Sequence, residues 1–288
     1  MIAYQYYPGC SLHASARDYD ESVKGVLGCL EIKLEEVPDW NCCGATITPS
    51  LNQLQAQILP ARNLALAAEN KGDLIVPCNA CYMSLKKVQH NMVKYKEIRE
   101  GVIDIFSQTG LSLTGMPKVR HLLEMIMEDI GLAKVKEMVT KTLKDIKIVS
   151  YSGCQLVRPL GFDDPEDPQA LDQLMEALGA KVLPFSQKSH CCGSSLITTQ
   201  PELAFKMVDS ILEEARKVGA EMVVVTCPMC QLNLDAYQGQ INNKFNRTGE
   251  LPIIYFTQLM GLAMGMSKSQ LGIQRGIVSS NKALEKIG

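Results

Sequence analysis

The chain has almost no charge imbalance and no block of like charge. Across 288 residues, 29 Lys and Arg stand against 31 Asp and Glu, a formal net charge of −2. The basic footprint that a nucleic-acid backbone requires is missing. No apolar run is long enough for a membrane span: the most apolar late stretch, Ile253 to Met266, is short and carries Thr257 and Gln258. Met1 to Tyr7 lack a basic segment followed by an apolar one, so no secretory leader is read there and a cytoplasmic location is expected. Also lacking are a phosphate loop, a dinucleotide fingerprint and a complete Ser/His/Asp pattern. The chain therefore shows no means of its own for collecting electrons from a nicotinamide or flavin.

What is abundant is cysteine, with 11 residues, in a chain whose 46% hydrophobic and 21% charged content reads as globular. An odd count in an expected cytosolic protein argues against a disulfide framework and for metal or redox chemistry. Asn41-Cys42-Cys43-Gly44 returns as His190-Cys191-Cys192-Gly193. Adjacent thiols invite oxidation and are a poor choice for ordinary packing. The glycine after them permits a positive φ or a close approach to a bulky object, and clearance for such an object is the expectation here.

In chain order, residues 2–7 read as a strand ending at the Pro8-Gly9 turn. A helix is expected from Ala14 to Leu30, with Cys29 on or near its buried face as a small hydrophobe. A strand at Ile32–Val37 precedes the first Cys-Cys-Gly. Ser50 is then a candidate cap for a helix in which Pro60 marks a kink or break. Asp73–Pro77 reads as a buried strand opening into Cys78-x-x-Cys81. Helical patterns follow at Tyr82–Tyr95 and Glu97–Phe106. After a looser Thr109–Met116, two more at Val119–Ile130 and Leu132–Leu143 close the first half. The second half runs in parallel: a strand at Ile146–Tyr151, a helix opened by Asp167-Pro168, and a short strand at Lys181–Pro184. A helix at Glu202–Lys217 and a strand at Glu221–Thr226 then lead into Cys227-x-x-Cys230. A helix through Leu232 and Tyr237 follows, then a strand at Ile253-Ile254, a helix at Phe256–Met264 and a Gly-rich end.

The two halves superimpose by counting. Cys42 to Cys78 is 36 residues, as is Cys191 to Cys227; each half opens with Gly-Cys, at Gly9-Cys10 and Gly153-Cys154, and finishes with Cys-x-x-Cys. The slippage is between that first cysteine and the pair, 32 residues against 37. Such self-similarity indicates duplication. The expected fold is α/β: two tandem, pseudo-twofold-related repeats with short parallel sheets and cysteines at the carboxyl ends of strands, divided as 1–144 and 145–288. Each half offers five thiols: Cys10, Cys42, Cys43, Cys78 and Cys81, then Cys154, Cys191, Cys192, Cys227 and Cys230. Soft thiolates select zinc, copper(I) or iron–sulfur clusters. Five exceeds the four ligands of a structural zinc or of an ordinary cubane. Either one cysteine per half is not a ligand or the cluster is not a simple cube, and counting leaves both open, alongside buried thiols with no metal.

This ten-cysteine frame resembles the Cys-Cys-Gly domain family, specifically the B-type subunit of heterodisulfide reductase, over nearly the whole chain. The resemblance implies that all ten cysteines are ligands of two noncubane [4Fe–4S] clusters, with Cys29 outside the frame. It implies a catalytic subunit that reduces a heterodisulfide, coenzyme M–coenzyme B disulfide in the family, to two thiols between the clusters. The family works with a C-type iron–sulfur subunit, itself fed by an A-type flavin subunit, with hydrogenase or formate dehydrogenase further upstream. The rival readings are a subunit of a lactate, glycolate or succinate-type oxidoreductase, and a non-catalytic zinc or iron–sulfur scaffold.

Among smaller signals, His190 is a candidate proton donor, weighed against a hydrogen bond that only tunes a cluster. His13, Arg17, Arg158 and Lys188 are candidates for an anionic substrate arm, each individually more at home in solvent. His90 and His121, in charged surroundings, are expected at the surface. The methionines Met260, Met264 and Met266 are expected in packing. Anaerobically purified protein should contain iron and give an unusual, substrate-dependent paramagnetic signal. Zinc without iron would end the cluster reading.

Overall fold

The computed structural model describes residues 2–50, 52–113 and 115–287. Met1, Leu51, Thr114 and Gly288 lie outside them, Thr114 within the stretch read above as loose. The first half forms β1 (Ile2–Tyr6), α1 (Gly9–Leu12), α2 (Arg17–Cys29), β2 (Ile32–Glu36), α3 (Gln55–Ala68), β3 (Leu74–Val76), α4 (Asn79–Lys94) and α5 (Lys96–Thr109). It closes with β4 (Val119–His121), α6 (Leu122–Met125), a π-helical turn at Ile126–Ile130 and α7 (Gly131–Glu137). The second half has β5 (Lys147–Tyr151), α8 (Cys154–Val157), α9 (Ala170–Ala177), β6 (Lys181–Val182), α10 (Pro201–Lys217) and β7 (Met222–Val225). Then come α11 (Pro228–Ala236), α12 (Gln238–Phe245), β8 (Ile253–Tyr255), α13 (Phe256–Ala263) and α14 (Asn281–Leu284).

Two four-stranded parallel sheets result, in the orders β2-β1-β3-β4 and β6-β5-β7-β8. The second repeats the order of the first element by element, so the duplication is one of structure. The central strands β3 and β7 are apolar and wholly buried, as strands covered on both faces must be. The edge strand β2 carries Lys33, Glu35 and Glu36 outward, which guards an unpaired edge. In each sheet the chain reverses direction between the first strand and the third, β1/β3 and β5/β7. The crevice beyond the carboxyl ends at such a switch is where open α/β sheets bind ligands.

The halves interlock through equivalent elements. Helix α2 packs on α13 of the other half, while α9 packs on α6. Ser22 and Thr257 hydroxyls meet at 2.6 Å, Tyr19 stacks flat on Tyr255 with ring centroids 4.0 Å apart, and the Gln258 amide donates to Asp18.

Several expectations are corrected. Val119–Ile130 is not one helix: Val119–His121 is the fourth strand, hidden because a three-residue strand has too little alternation to oppose a helical pattern. Leu132–Leu143 is helical only as far as Glu137. Pro60 lies inside an unbroken α3, and Asn52 rather than Ser50 accepts a hydrogen bond at its start, from Gln55 N. Helix α9 begins at Ala170, with its amide donated to Asp163, two residues after Pro168. Cys29 ends α2 facing solvent.

His121 is fully buried, not at the surface. It caps α6: its Nδ1 accepts from Leu123 N and its own amide donates to the Glu124 carboxylate. Nε2 is therefore the protonated nitrogen and donates to Pro77 O at 3.1 Å. Burial holds the imidazole down to about 4 from its ordinary 6.5. The folded state keeps His121 neutral while the unfolded chain takes up a proton below pH 6.5. The stability carried by this histidine is thus complete above pH 6.5, declines as pH falls towards 4 and is lost below, about 3 kcal/mol in all. Denaturant midpoints across that range should show this component in the native chain and lack it in His121→Asn.

Candidate metal centre

Each cysteine set is assembled from three loops beyond strand ends. In the first half Cys10 follows β1, Cys42 and Cys43 follow β2, and Cys78 follows β3 as the N-cap of α4, with Cys81 in the first turn of that helix. In the second, Cys154 opens α8 after β5, Cys191 and Cys192 follow β6, and Cys227 caps α11 with Cys230 in its first turn. Cys78 and Cys227 thus stand at positive helix ends, which favour thiolate. All ten frame cysteines are free thiols. Sulfur–sulfur distances are 3.7 Å for Cys10–Cys42, 3.3 Å for Cys43–Cys81 and 3.6 Å for Cys192–Cys230. Across the seam between the halves, Cys78 and Cys227 are 4.0 Å apart.

Shared protons divide the thiols. Hydrogen bonding with Cys42 and Cys81 holds Cys43 well below the ordinary thiol range, and the bond with Cys154 together with the Gly193 amide brings Cys191 down to about 6. Their partners Cys42 and Cys154 are pushed up, first by that same sharing and then by burial.

A repeated scaffold holds the adjacent cysteines, and sequence reasoning did not single it out. The Tyr7 hydroxyl donates to Asn41 O at 2.8 Å and the Tyr151 hydroxyl to His190 O at 2.6 Å. Ser84 donates to Cys43 O, and Asn233, at the equivalent position, to Cys192 O. The signal was in the repeat itself, as Tyr7-Pro8-Gly9-Cys10 and Tyr151-Ser152-Gly153-Cys154.

The glycines also sort themselves. Gly44 and Gly193 have φ of +72° and +75°, and their amides point at Cys42 and Cys191 sulfurs at 3.4 and 3.3 Å. A Cβ on them would meet Thr48 or Ala204 and Met207, protein atoms rather than the thiol cluster. Clearance at sulfur belongs instead to Gly9 and Gly153, whose absent Cβ would lie 2.9 Å from Cys81 Sγ and 3.3 Å from Cys230 Sγ.

Both sets open on one cleft with two lobes. The larger, about 310 Å³, is lined by the first five cysteines together with Ile197, Met229, Leu232 and Tyr237 among others. The smaller, about 70 Å³, is lined by the second five with Asn79, Gln155, Ser194 and Ser195. Ala45, Thr46, Ala80, Ser194 and Met229 belong to both. His190 is exposed and lines a surface depression with Lys206 and Met207, not this cleft. His13 pairs with Glu36 and meets Trp40 edge-on, and Arg17 donates to His13 O. Arg158 bonds Glu166 and Ser189, and Lys188 is buried between Asp167 and Asp172. None of these four lines the cleft. His90 is exposed, as expected.

Residues 4–86 and 148–235 each match the family model described as a cysteine-rich domain, CCG. The chain belongs to the CCG family. The resemblance to the B-type subunit of heterodisulfide reductase is borne out with it. A protein of Archaeoglobus profundus named as like that B-type subunit is 31% identical, covering 94% of this chain and 93% of that one. The B-type subunit of the ferredoxin:CoB-CoM heterodisulfide reductase of Methanosarcina mazei is 30% identical over 97% and 95%. The 8-methylmenaquinol:fumarate reductase membrane anchor subunit of Wolinella succinogenes is 29% identical over 97% and 98%. Among the described residues here, no helix is long and apolar enough to cross a membrane. A crystal structure of a hypothetical protein from Helicobacter pylori shares the fold, with TM-score 0.79 at 15% identity, covering 96% of this chain and 52% of that one.

The donor chemistry of the two CCG repeats fits a polynuclear group better than a single ion. Among the described residues no three Cys, His, Asp or Glu side chains converge as a single ion needs. The sulfurs approach in pairs around an open cleft, which suits a larger group taking thiolates at several irons. Gly9→Ala should lower iron in the purified protein, because a Cβ would press on Cys81 Sγ. Gly110→Ala, with φ of +73° and nothing within 4 Å of its Cβ, should lose only about 1–2 kcal/mol from the left-handed backbone and keep its iron. Equal iron loss in both would remove the clearance role.

Proposed function

We propose that the ten frame cysteines hold two [4Fe–4S] clusters, five thiolates each and noncubane, and that the chain reduces a disulfide to two thiols in the cleft between them. One observation carries this reading: two five-thiol sets of repeated construction open on one cleft, with Cys78 and Cys227 4.0 Å apart. When bound, the clusters would supply electrons singly, and two facing one substrate match the two that a disulfide requires. The protein's own part is to hold the sets at fixed separation, seat the substrate between them and deliver two protons. Burial of Cys43, Cys78, Cys81, Cys192, Cys227 and Cys230 keeps water from the inner wall. Protons enter through the lining hydroxyls of Ser11, Ser15, Thr46, Ser194 and Tyr237. His190, outside that lining, is better suited to acting through its backbone carbonyl, which Tyr151 holds.

Since neither nicotinamide nor flavin fingerprints are present, electrons come from partner subunits, an iron–sulfur subunit fed by a flavin subunit. The relative named for 8-methylmenaquinol and fumarate supports a second reading, quinol oxidation in the same cleft, favoured by the apolar lobe at Ile197, Met229 and Leu232.

Cys81→Ser should cut iron content by about half, leaving the second set loaded, and should abolish disulfide reduction by an artificial one-electron donor. Iron assay with paramagnetic resonance checks the first, anaerobic turnover the second. Undiminished turnover with one set empty would sink the two-cluster reading.

A further inference from the structure

Resting on the two-cluster reading above, we infer that Tyr19 is a positioning residue for both cysteine sets at once. Its one phenolic proton, lodged between the carbonyls that precede Cys78 and Cys227, holds the two sets at a single separation.

Tyr19 stands in the first turn of α2 and is fully buried. Its hydroxyl lies 3.2 Å from Pro77 O and 3.0 Å from Thr226 O, one carbonyl from each half. Each carbonyl belongs to the peptide that continues into the N-cap cysteine of a central helix, Cys78 of α4 and Cys227 of α11. A peptide unit is planar, so its oxygen cannot shift far without carrying the next Cα along. Holding Pro77 O and Thr226 O to one proton therefore holds Cys78 and Cys227 to each other, and their sulfurs stand 4.0 Å apart. Burial pushes the phenol well above its ordinary range, so the proton stays on it.

The hydroxyl is fixed by helix packing and not by the cysteine loops. Its ring stacks on Tyr255 at 4.0 Å between centroids with 2° between the planes, and Phe256 meets it edge-on at 6.3 Å. One turn further along α2, the Ser22 and Thr257 hydroxyls meet at 2.6 Å. The repeat does not reproduce this pin. Helix α9 stands to α6 as α2 stands to α13, yet it holds no tyrosine, serine or threonine between Ala170 and Ala177. Where the second half ends its fourth strand with Tyr255, the first half ends its own with His121, which donates at 3.1 Å to Pro77 O, a carbonyl of its own half. Among the described residues, Tyr19 supplies the one hydroxyl that meets both carbonyls. Two sets acting on one S–S bond tolerate little change in their separation, because reacting groups lose rate steeply when displaced.

Tyr19→Phe removes the hydroxyl and keeps the stack on Tyr255. Ser22→Ala removes a buried bond from the same contact between α2 and α13 and touches neither cysteine loop, so it reports general loosening of the seam. Both are made in the full chain, purified anaerobically with its iron. The readings are iron content, the magnetic interaction between the two centres in the reduced protein by paramagnetic resonance, and disulfide reduction with a viologen donor. Tyr19→Phe should keep the native iron and change the magnetic interaction, which falls steeply with separation. It should lower kcat on the order of tenfold and hold KM within about twofold. Ser22→Ala should match the native chain in all three readings. An unchanged interaction in Tyr19→Phe, or the same change in Ser22→Ala, would overturn the inference. A fully loaded native chain with no interaction between its centres would instead overturn the two-cluster reading.

Discussion

The Tyr19 hydroxyl points at two carbonyls, Pro77 O at 3.2 Å and Thr226 O at 3.0 Å, which belong to the residues immediately before Cys78 and Cys227. One phenolic proton is thus shared between the two Cys-x-x-Cys loops. Around it lie further buried bonds across the seam. The Asn79 amide donates to Ser152 O, Thr226 donates to Asn79 and to Ser152 O, and His121 meets Pro77 O. In a site closed to water such bonds are costly to break and difficult to rearrange. They fix where the two central helices begin, and hence how far apart the two cysteine sets stand. The width of the cleft between the sets depends on that distance.

The seam is built asymmetrically on a symmetric frame. The sheets repeat strand for strand, and α2 on α13 mirrors α9 on α6. Tyr7 and Tyr151 repeat as well, yet the residue after Cys78 is Asn79 and the residue after Cys227 is Pro228. Asn79 reaches across to the other half, whereas Pro228 lacks the side chain to reciprocate and instead starts α11 with a preset φ. Duplication supplied two similar sites, and divergence at the seam made their surroundings unlike.

Much of this was legible in the sequence because it was written twice. The spacing from Cys42 to Cys78 and from Cys191 to Cys227 carried the frame, and the runs at Leu74 and Met222 announced central parallel strands. What escaped was whatever tertiary contact decides alone. Val119–His121 is too short to show strand alternation, and its role appears only when β3 pairs with it. His121 lies among charged residues in sequence but caps a helix start that the neighbouring strand buries. Cys29 occupies a helix terminus, where the apolar stripe has already ended. Gly44 and Gly193 were visible, but their task was not. Only packing distinguishes a glycine that lets its amide face sulfur from one that makes room for sulfur, as Gly9 does.

Among the described residues no Lys or Arg lines the cleft. A lysine or arginine in a pocket walled by thiolates would pair with them directly. Lys188 shows the alternative: it lies just before the second Cys-Cys-Gly loop, yet it is turned to Asp167 and Asp172, and its own carbonyl accepts from Gly153 N beside Cys154. The charge is neutralised behind the loop while the backbone positions the first cysteine of the set. Cations are used to brace the loops from outside, and the neutral interior follows from that placement.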